Sequence, residues 1–176
     1  MNPIEKVVLR LIEEADTDNI IKWRNSDAVK KNLYSQSLLT NEQHLTWLKT
    51  KVATGDCYQF IIEVHSLNVV RPIGTIFIKN IDRVNSKGEY GIFIGESDCR
   101  GKGYALPATK NILEFAFNTL KLNRVYLTVF SDNYAAIKVY EKASFSCEGI
   151  LKQDFLRCDG YIDVVCMGIT ADVWNK

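Results

Sequence analysis

The chain has 176 residues, 47% hydrophobic and 24% charged, an ordinary balance for a globular protein that can bury a core without disulfides or metal. Lys and Arg (22) nearly cancel Asp and Glu (21), and the net charge of +1 argues against nucleic-acid partners, which need a clear basic excess. No apolar run approaches the roughly 20 residues that span a bilayer, and the start lacks the basic-then-apolar pattern of a signal peptide, so a cytoplasmic chain without a membrane partner is expected.

Residues 7–12 read as a first strand. Asp16, Thr17 and Asp18 offer N-caps for a short helix through Ile20, Ile21 and Trp23. Thr40 with Gln43 has the form of a capping box, and Leu45, Leu48 and Val52 recur at helical spacing, which predicts a helix over 41–53. Residues 58–64 are β-rich, and 65–68 look like a hairpin turn. Residues 72–81 alternate, with Ile73, Thr75, Phe77 and Lys79 on one face and Gly74, Ile76 and Ile78 on the other. Residues 89–95 form a further strand.

After Gly103 the period changes. Leu106, Ile112, Leu113, Phe115, Ala116 and Leu120 fit a buried helix face, and Pro107 is tolerated in its first turn. Residues 124–130 read as a strand and 134–142 as a helix. Two last strands, from Phe145 onward and over 162–169, join around Cys158-Asp159-Gly160. No repeat, low-complexity tract or linker interrupts the chain, so residues 1–176 are expected to form one domain. The order β-α-α-β-β-β-α-β-α-β-β combines hairpins with a βαβ crossover at 89–130. That is an α+β class, a mixed α/β sheet flanked by helices. The five cysteines (57, 99, 147, 158 and 166) form no CxxC pair and read as buried or half-buried thiols in a reducing compartment. His44 and His65 are not spaced with any cysteine as ligands would be, so no metal is expected.

The segment from Glu89 to Ala105 carries chemistry. A strand runs into a glycine-containing loop, and a helix opens after it. The first N–H groups of a helix have no partner within it and its dipole adds positive charge there, which makes an anion site. Gly101 and Gly103 let the backbone approach a phosphate without a Cβ in the way, while Arg100 and Lys102 add full charges. An ordinary strand-to-helix turn is the plainer alternative. The loop lacks the G-x-x-x-x-G-K-[ST] form of a P-loop, and Leu106 breaks G-x-G-x-x-G.

Arg100-Gly101-Lys102-Gly103-Tyr104-Ala105 matches the [QR]-x-x-G-x-[GA] signature of the GNAT N-acetyltransferases. Downstream, Asn133 to Phe145 is similar to that family's N-x-x-A-[IV]-x-x-Y-x-x-x-G-F helix, with Ser144 where glycine is usual. The resemblance runs from Val7 to Ile169. It implies the GNAT fold and acetyl-CoA as co-substrate, with the pyrophosphate on Arg100 to Ala105. It also implies that backbone groups of Ile92, Phe93 and Ile94 pair with the pantetheine arm in a V between two strands. Asn133 resembles the residue that bonds this arm, and also suits a helix N-cap. Tyr140 matches the tyrosine near the thiol, where a phenol can protonate the leaving thiolate; otherwise it is core. Glu89 stands where the family often places a carboxylate acting through water to deprotonate the amine, a role that needs burial; otherwise it is a surface residue.

The acceptor is read from the N-terminal half. Trp23-Arg24-Asn25, Lys31 to Tyr34 and Thr40 to Leu45 resemble acetyltransferases of the pseudaminic acid pathway, which implies a nucleotide-linked amino sugar. Trp23, Tyr34 and Trp47 would offer flat faces and Arg24 would meet a phosphate; taken singly, each aromatic reads as plain core packing. The same region resembles spermidine and ribosomal-protein N-terminal acetyltransferases, which implies a polyamine or a peptide amine. Homodimers are common in the family. A non-catalytic acyl-CoA-binding module is the rival from another class.

Overall fold

The computed structural model describes residues 5–67 and 69–176. The strands are β1 (Lys6–Leu11), β2 (Cys57–Ser66), β3 (Val69–Asp82), β4 (Lys87–Ile94), β5 (Arg124–Phe130), β6 (Ser146–Arg157) and β7 (Gly160–Thr170). The helices are α1 (Thr17–Asn25), α2 (Asp27–Lys30), α3 (Asn41–Trp47), α4 (Ala105–Glu114), α5 (Tyr134–Lys142) and α6 (Ala171–Trp174). One seven-stranded mixed sheet runs in the order β1-β2-β3-β4-β5-β7-β6. Only β4 and β5 are parallel neighbours, joined through α4; the other pairs are antiparallel. Among the described residues no helix is long and apolar enough to cross a membrane.

Alternation along the strands makes two apolar layers. Phe60, Ile62 and Val64 of β2 face one side, with Tyr90 of β4, Val125, Leu127 and Val129 of β5, and Ile112, Leu113 and Ala116 from α4 and its extension. Ile61 faces the other side, against Ile20 and Trp23 of α1. The expected alternation of β3 fails at Ile73, which joins the same core as Ile76 and Ile78. Ile62 and Glu63 of β2 pair with Gly74 and Pro72, so Ile73 is an extra residue in a bulge and changes face. Proline suits that place because a bulge needs no ladder donor there. Of the expected turn at 65–68, His65 and Ser66 are still paired strand residues; Asn68 lies outside the described residues.

Local chemistry explains the helix ends. Thr40 and Gln43 form the capping box, Gln43 N to Thr40 Oγ1 at 3.3 Å and Thr40 N to Gln43 Oε1 at 3.0 Å. The Asp16 side chain does not cap α1; it accepts from Glu13 N at 2.8 Å, in a capping box on the preceding 3-10 turn, and holds Arg10 through two bonds of 2.8 and 3.0 Å. Both α3 and α4 continue as π turns, over Leu48–Val52 and Phe115–Thr119. Helix α5 ends left-handed at Ser144 (φ 70°), with Phe145 N bonded to Tyr140 O and Ser144 N to Glu141 O. That is the closure glycine normally makes, so the serine keeps the turn at some strain.

His44 of α3 is 2% exposed. Thr17 donates its hydroxyl proton to Glu14 O at 2.7 Å, so the 3.0 Å contact to His44 must run from Nδ1–H to Thr17 Oγ1. That leaves His44 Nε2 as an acceptor without a partner. Two of the five cysteines, Cys147 and Cys158, are exposed, contrary to expectation: Cys147 lies on the edge strand β6 and Cys158 in the β6–β7 turn.

Candidate active site

The sheet parts at its middle. β4 and β5 pair only through Lys87↔Arg124, Gly88↔Val125 and Glu89↔Tyr126. Beyond Glu89, β4 keeps β3 on its outer side and β5 keeps β7. Their inner edges, including Ile92, Phe93 and Ile94, face each other without a strand partner. An extended chain can pair with such edges.

The β3 bulge sets the mouth of this V. The carbonyl of Ile73 accepts from both Gly95 N (2.8 Å) and Glu96 N (3.0 Å). A 3-10 turn, Ser97–Cys99, then leads to Gly101 (φ 75°) and Gly103 (φ 88°). A Cβ on either glycine would meet no atom within 4 Å. The N–H groups of residues 101–105 find no acceptor among the described residues, and α4 starts at Ala105 with no side chain capping it. A left-handed glycine pair, open space and unpaired N–H groups at a helix start fit a pyrophosphate. Arg100 is less free than expected: Nε and Nη2 bond Ile94 O (3.2 Å) and Gly95 O (3.0 Å), holding the end of β4. Lys102 is exposed. The Tyr104 hydroxyl donates to Glu5 Oε2 at 2.5 Å, and this bond pushes the phenol up to about 12.

Tyr140 of α5 comes to the α4 side of the V, packed edge-on against Tyr90 (5.6 Å between centroids). It is 8% exposed. Its hydroxyl has no partner among the described residues, yet it is not among the sealed, orphaned atoms, so it opens on solvent space. Burial pushes its phenol well above the usual range, which keeps it protonated. Asn133 caps α5, accepting from Ala136 N at 3.3 Å; this uses Oδ1 and leaves the amide N–H groups for a ligand.

Glu89 sits where the strands part. It is less isolated than a buried base would be, with Lys79 Nζ at 3.1 Å and Asn80 Nδ2 at 2.8 Å. Its side chain is about a quarter exposed.

Three residues expected to bind acceptor have different fates. Trp23 is sealed at 2% exposure, and a Cβ on Gly95 would lie 2.0 Å from its Cγ. Its ring therefore packs α1 onto the end of β4 and offers no face to a substrate. Arg24 of α1 bonds Ser37 O at 3.3 Å and so braces the loop over 31–40. Tyr34 is 44% exposed and lies against Phe130 (5.1 Å) and Phe155 (5.4 Å). Burial pushes its phenol up. Arg157 stacks on Phe130 at 4.3 Å and pairs with Asp132 at 2.6 Å. Asp154, Phe155 and Arg157 escaped sequence reasoning because an irregularity in β6, between Leu151 and Phe155, sets where 154–157 fall. Among the described residues no group of three His, Cys, Asp or Glu could hold a metal.

Residues 6–146 match the acetyltransferase (GNAT) domain family. An uncharacterised N-acetyltransferase p20 of Bacillus licheniformis is 29% identical, over 91% of this chain and 90% of its own. The spermidine N(1)-acetyltransferase of Vibrio cholerae is 31% identical over 93% of this chain and 92% of its own. The solved Vibrio cholerae spermidine N-acetyltransferase, in complex with CoA and spermine, superposes with a TM-score of 0.89 at 23% identity, over 97% of this chain and 98% of that one. The chain belongs to the GNAT family and is an N-acetyltransferase that uses acetyl-CoA.

Proposed function

We propose that the acceptor is a primary amine of an aliphatic polycation of the polyamine class. One observation carries this reading: Tyr34, 44% exposed, meets the half-buried Phe155 edge-on at 5.4 Å, an aromatic face next to the carboxylate of Asp154, its neighbour on β6. Aromatic faces suit methylene chains and ammonium groups, and carboxylates suit the charges. The Vibrio cholerae relative, a spermidine acetyltransferase matched along nearly its whole length, supports the same class. An amino-sugar nucleotide is disfavoured. Trp23, one of the residues expected to hold it, is sealed, and Arg24 of α1 spends one donor on the loop over 31–40.

Acetyl-CoA supplies the activated acetyl group as a thioester. The N–H groups of residues 101–105 would hold its pyrophosphate, and the inner edge of β4 at Ile92, Phe93 and Ile94 its arm. The Tyr140 hydroxyl, protonated and without a partner among the described residues, donates a hydrogen bond or a proton to the departing sulfur. Glu89, at the base of the V, attracts the acceptor ammonium and takes its proton through water.

The test is thiol release by the pure protein with spermidine, a UDP-4-amino sugar, an L-amino acid and a ribosomal N-terminal peptide. Spermidine is expected to give the highest kcat/KM, by about tenfold or more, a difference of about 1.4 kcal/mol in transition-state binding. A faster reaction with the amino sugar or the peptide overturns the reading.

A further inference from the structure

Four consecutive residues of α1 reach two loops. Lys22 Nζ and Trp23 Nε1 donate to Glu96 Oε1 at 3.0 and 2.6 Å. Arg24 reaches Ser37 O, and Asn25 exchanges two bonds with Leu39, at 2.9 and 2.8 Å. The first pair grips the segment that leads into residues 101–105. The second grips the loop over 31–40 that presents Tyr34. Glu96 is the junction. Its Oε2 accepts from Arg71 Nη2 at 3.2 Å, and Arg71 also holds Asp98 at 2.7 and 2.9 Å. Its N–H is on the bulge carbonyl of Ile73, and its own carbonyl accepts from Cys99 N at 3.2 Å. The Trp23 ring fills the space above Gly95 and leaves no slack between α1 and the end of β4.

We propose that Glu96 is a positioning residue that, through Trp23, ties the loop at 101–105 to the loop at 31–40, so that order in one is transmitted to the other. The physical basis is a chain of bonds with no free joint: backbone to Glu96, Glu96 to Trp23 and Lys22, the body of α1, then Arg24 and Asn25 to the second loop. A displacement of Glu96 moves α1, and α1 moves Ser37 and Leu39 with it. Hydrogen bonds from Trp23 and Lys22 hold the Glu96 carboxyl below the usual carboxylate range, so this junction is charged at neutral pH.

Its consequence for turnover rests on residues 31–40 lining the acceptor side, but the decisive measurement needs no acceptor. Amide hydrogen exchange is followed by mass spectrometry with and without CoA. In the native protein CoA is expected to slow exchange at 101–105 and also at 31–40. Glu96→Gln keeps the bond from Trp23 and removes the charge that holds Lys22 and Arg71. Trp23→Phe keeps a ring on Gly95 and removes the N–H. In both variants CoA still protects 101–105, while the response at 31–40 falls roughly two- to thirtyfold, the range of couplings carried by packed networks. A loop at 31–40 that ignores CoA in the native protein overturns the proposal. So does one that responds equally in the variants. If Glu96→Gln fails to fold, Trp23→Phe decides alone. With spermidine, the variants are expected to raise KM more than they lower kcat; a protein that does not turn over spermidine leaves the exchange result standing.

Discussion

Tyr90 and Tyr140 touch each other and are about equally buried, but their hydroxyls differ. Thr109 donates its own proton to Ala105 O at 2.7 Å, so the 2.8 Å contact must run from the Tyr90 hydroxyl to Thr109 Oγ1. Tyr90→Phe removes a buried bond and leaves an acceptor unpaired, a loss of about 1 kcal/mol. In a chain of this size that lowers Tm by roughly 2–4 °C. Tyr140→Phe removes a hydroxyl that bonds nothing among the described residues, so stability should stay within about 0.5 kcal/mol of the native value. Its effect falls on chemistry: kcat at saturating acetyl-CoA drops by about a hundredfold or more if the phenol serves the leaving sulfur. Burial keeps this phenol protonated across the assay range, so the deficit should be the same at every pH. Thermal melts and steady-state kinetics on both variants separate the two roles. A Tyr140→Phe enzyme with native kcat, or one as destabilised as Tyr90→Phe, refutes the assignment.

Gly101→Ala and Gly103→Ala place a Cβ at left-handed φ, which costs about 1–2 kcal/mol, but the new methyl meets no protein atom. A modest drop in Tm with a loss of CoA affinity of at least about tenfold, read by calorimetry, is expected; native affinity would remove the loop from the cofactor site. Burial lowers the pKa of His44, so the folded state resists the proton that the unfolded chain accepts below pH about 6.5. Stability therefore falls as pH drops through that value, and His44→Asn should flatten the fall in urea midpoints between pH 7.5 and 5.5; an equal fall in the variant would assign it to other groups. Glu89→Gln should lower kcat/KM and flatten the acid limb of its pH profile, while unchanged kinetics across pH would leave Glu89 as the partner of Lys79 and nothing more.

Much of the scaffold was legible because its signals are local. The capping box at Thr40 needs three residues, and the face of α4 needs four turns of periodicity. The cofactor loop needs two glycines at a helix start. The choice for Trp23 between core and substrate face stayed open in the sequence because a tryptophan beside Arg24 and Asn25 looks the same whether its ring faces water or Gly95, 72 positions away in the chain. The aromatic wall was invisible for a related reason. Tyr34, Phe130 and Phe155 meet only after the sheet has formed and β6 has bulged, and no spacing rule links them. Ile73 shows the same limit within one strand, since a single extra residue reverses which face follows.

The parting of β4 from β5 leaves a sheet that its own chain does not complete. Three residue pairs join a four-stranded half to a three-stranded half, and acetyl-CoA is the extended molecule suited to the gap. A ligand that binds only the folded state adds RT ln(1 + [L]/Kd), about 2.7 kcal/mol at a hundred times Kd. If acetyl-CoA pairs with these edges as proposed, proteolysis of the pure protein is expected to slow as acetyl-CoA is added. With acetyl-CoA in the gap as proposed, the fissure that takes in the co-substrate would also tie the folded lifetime of the enzyme to it.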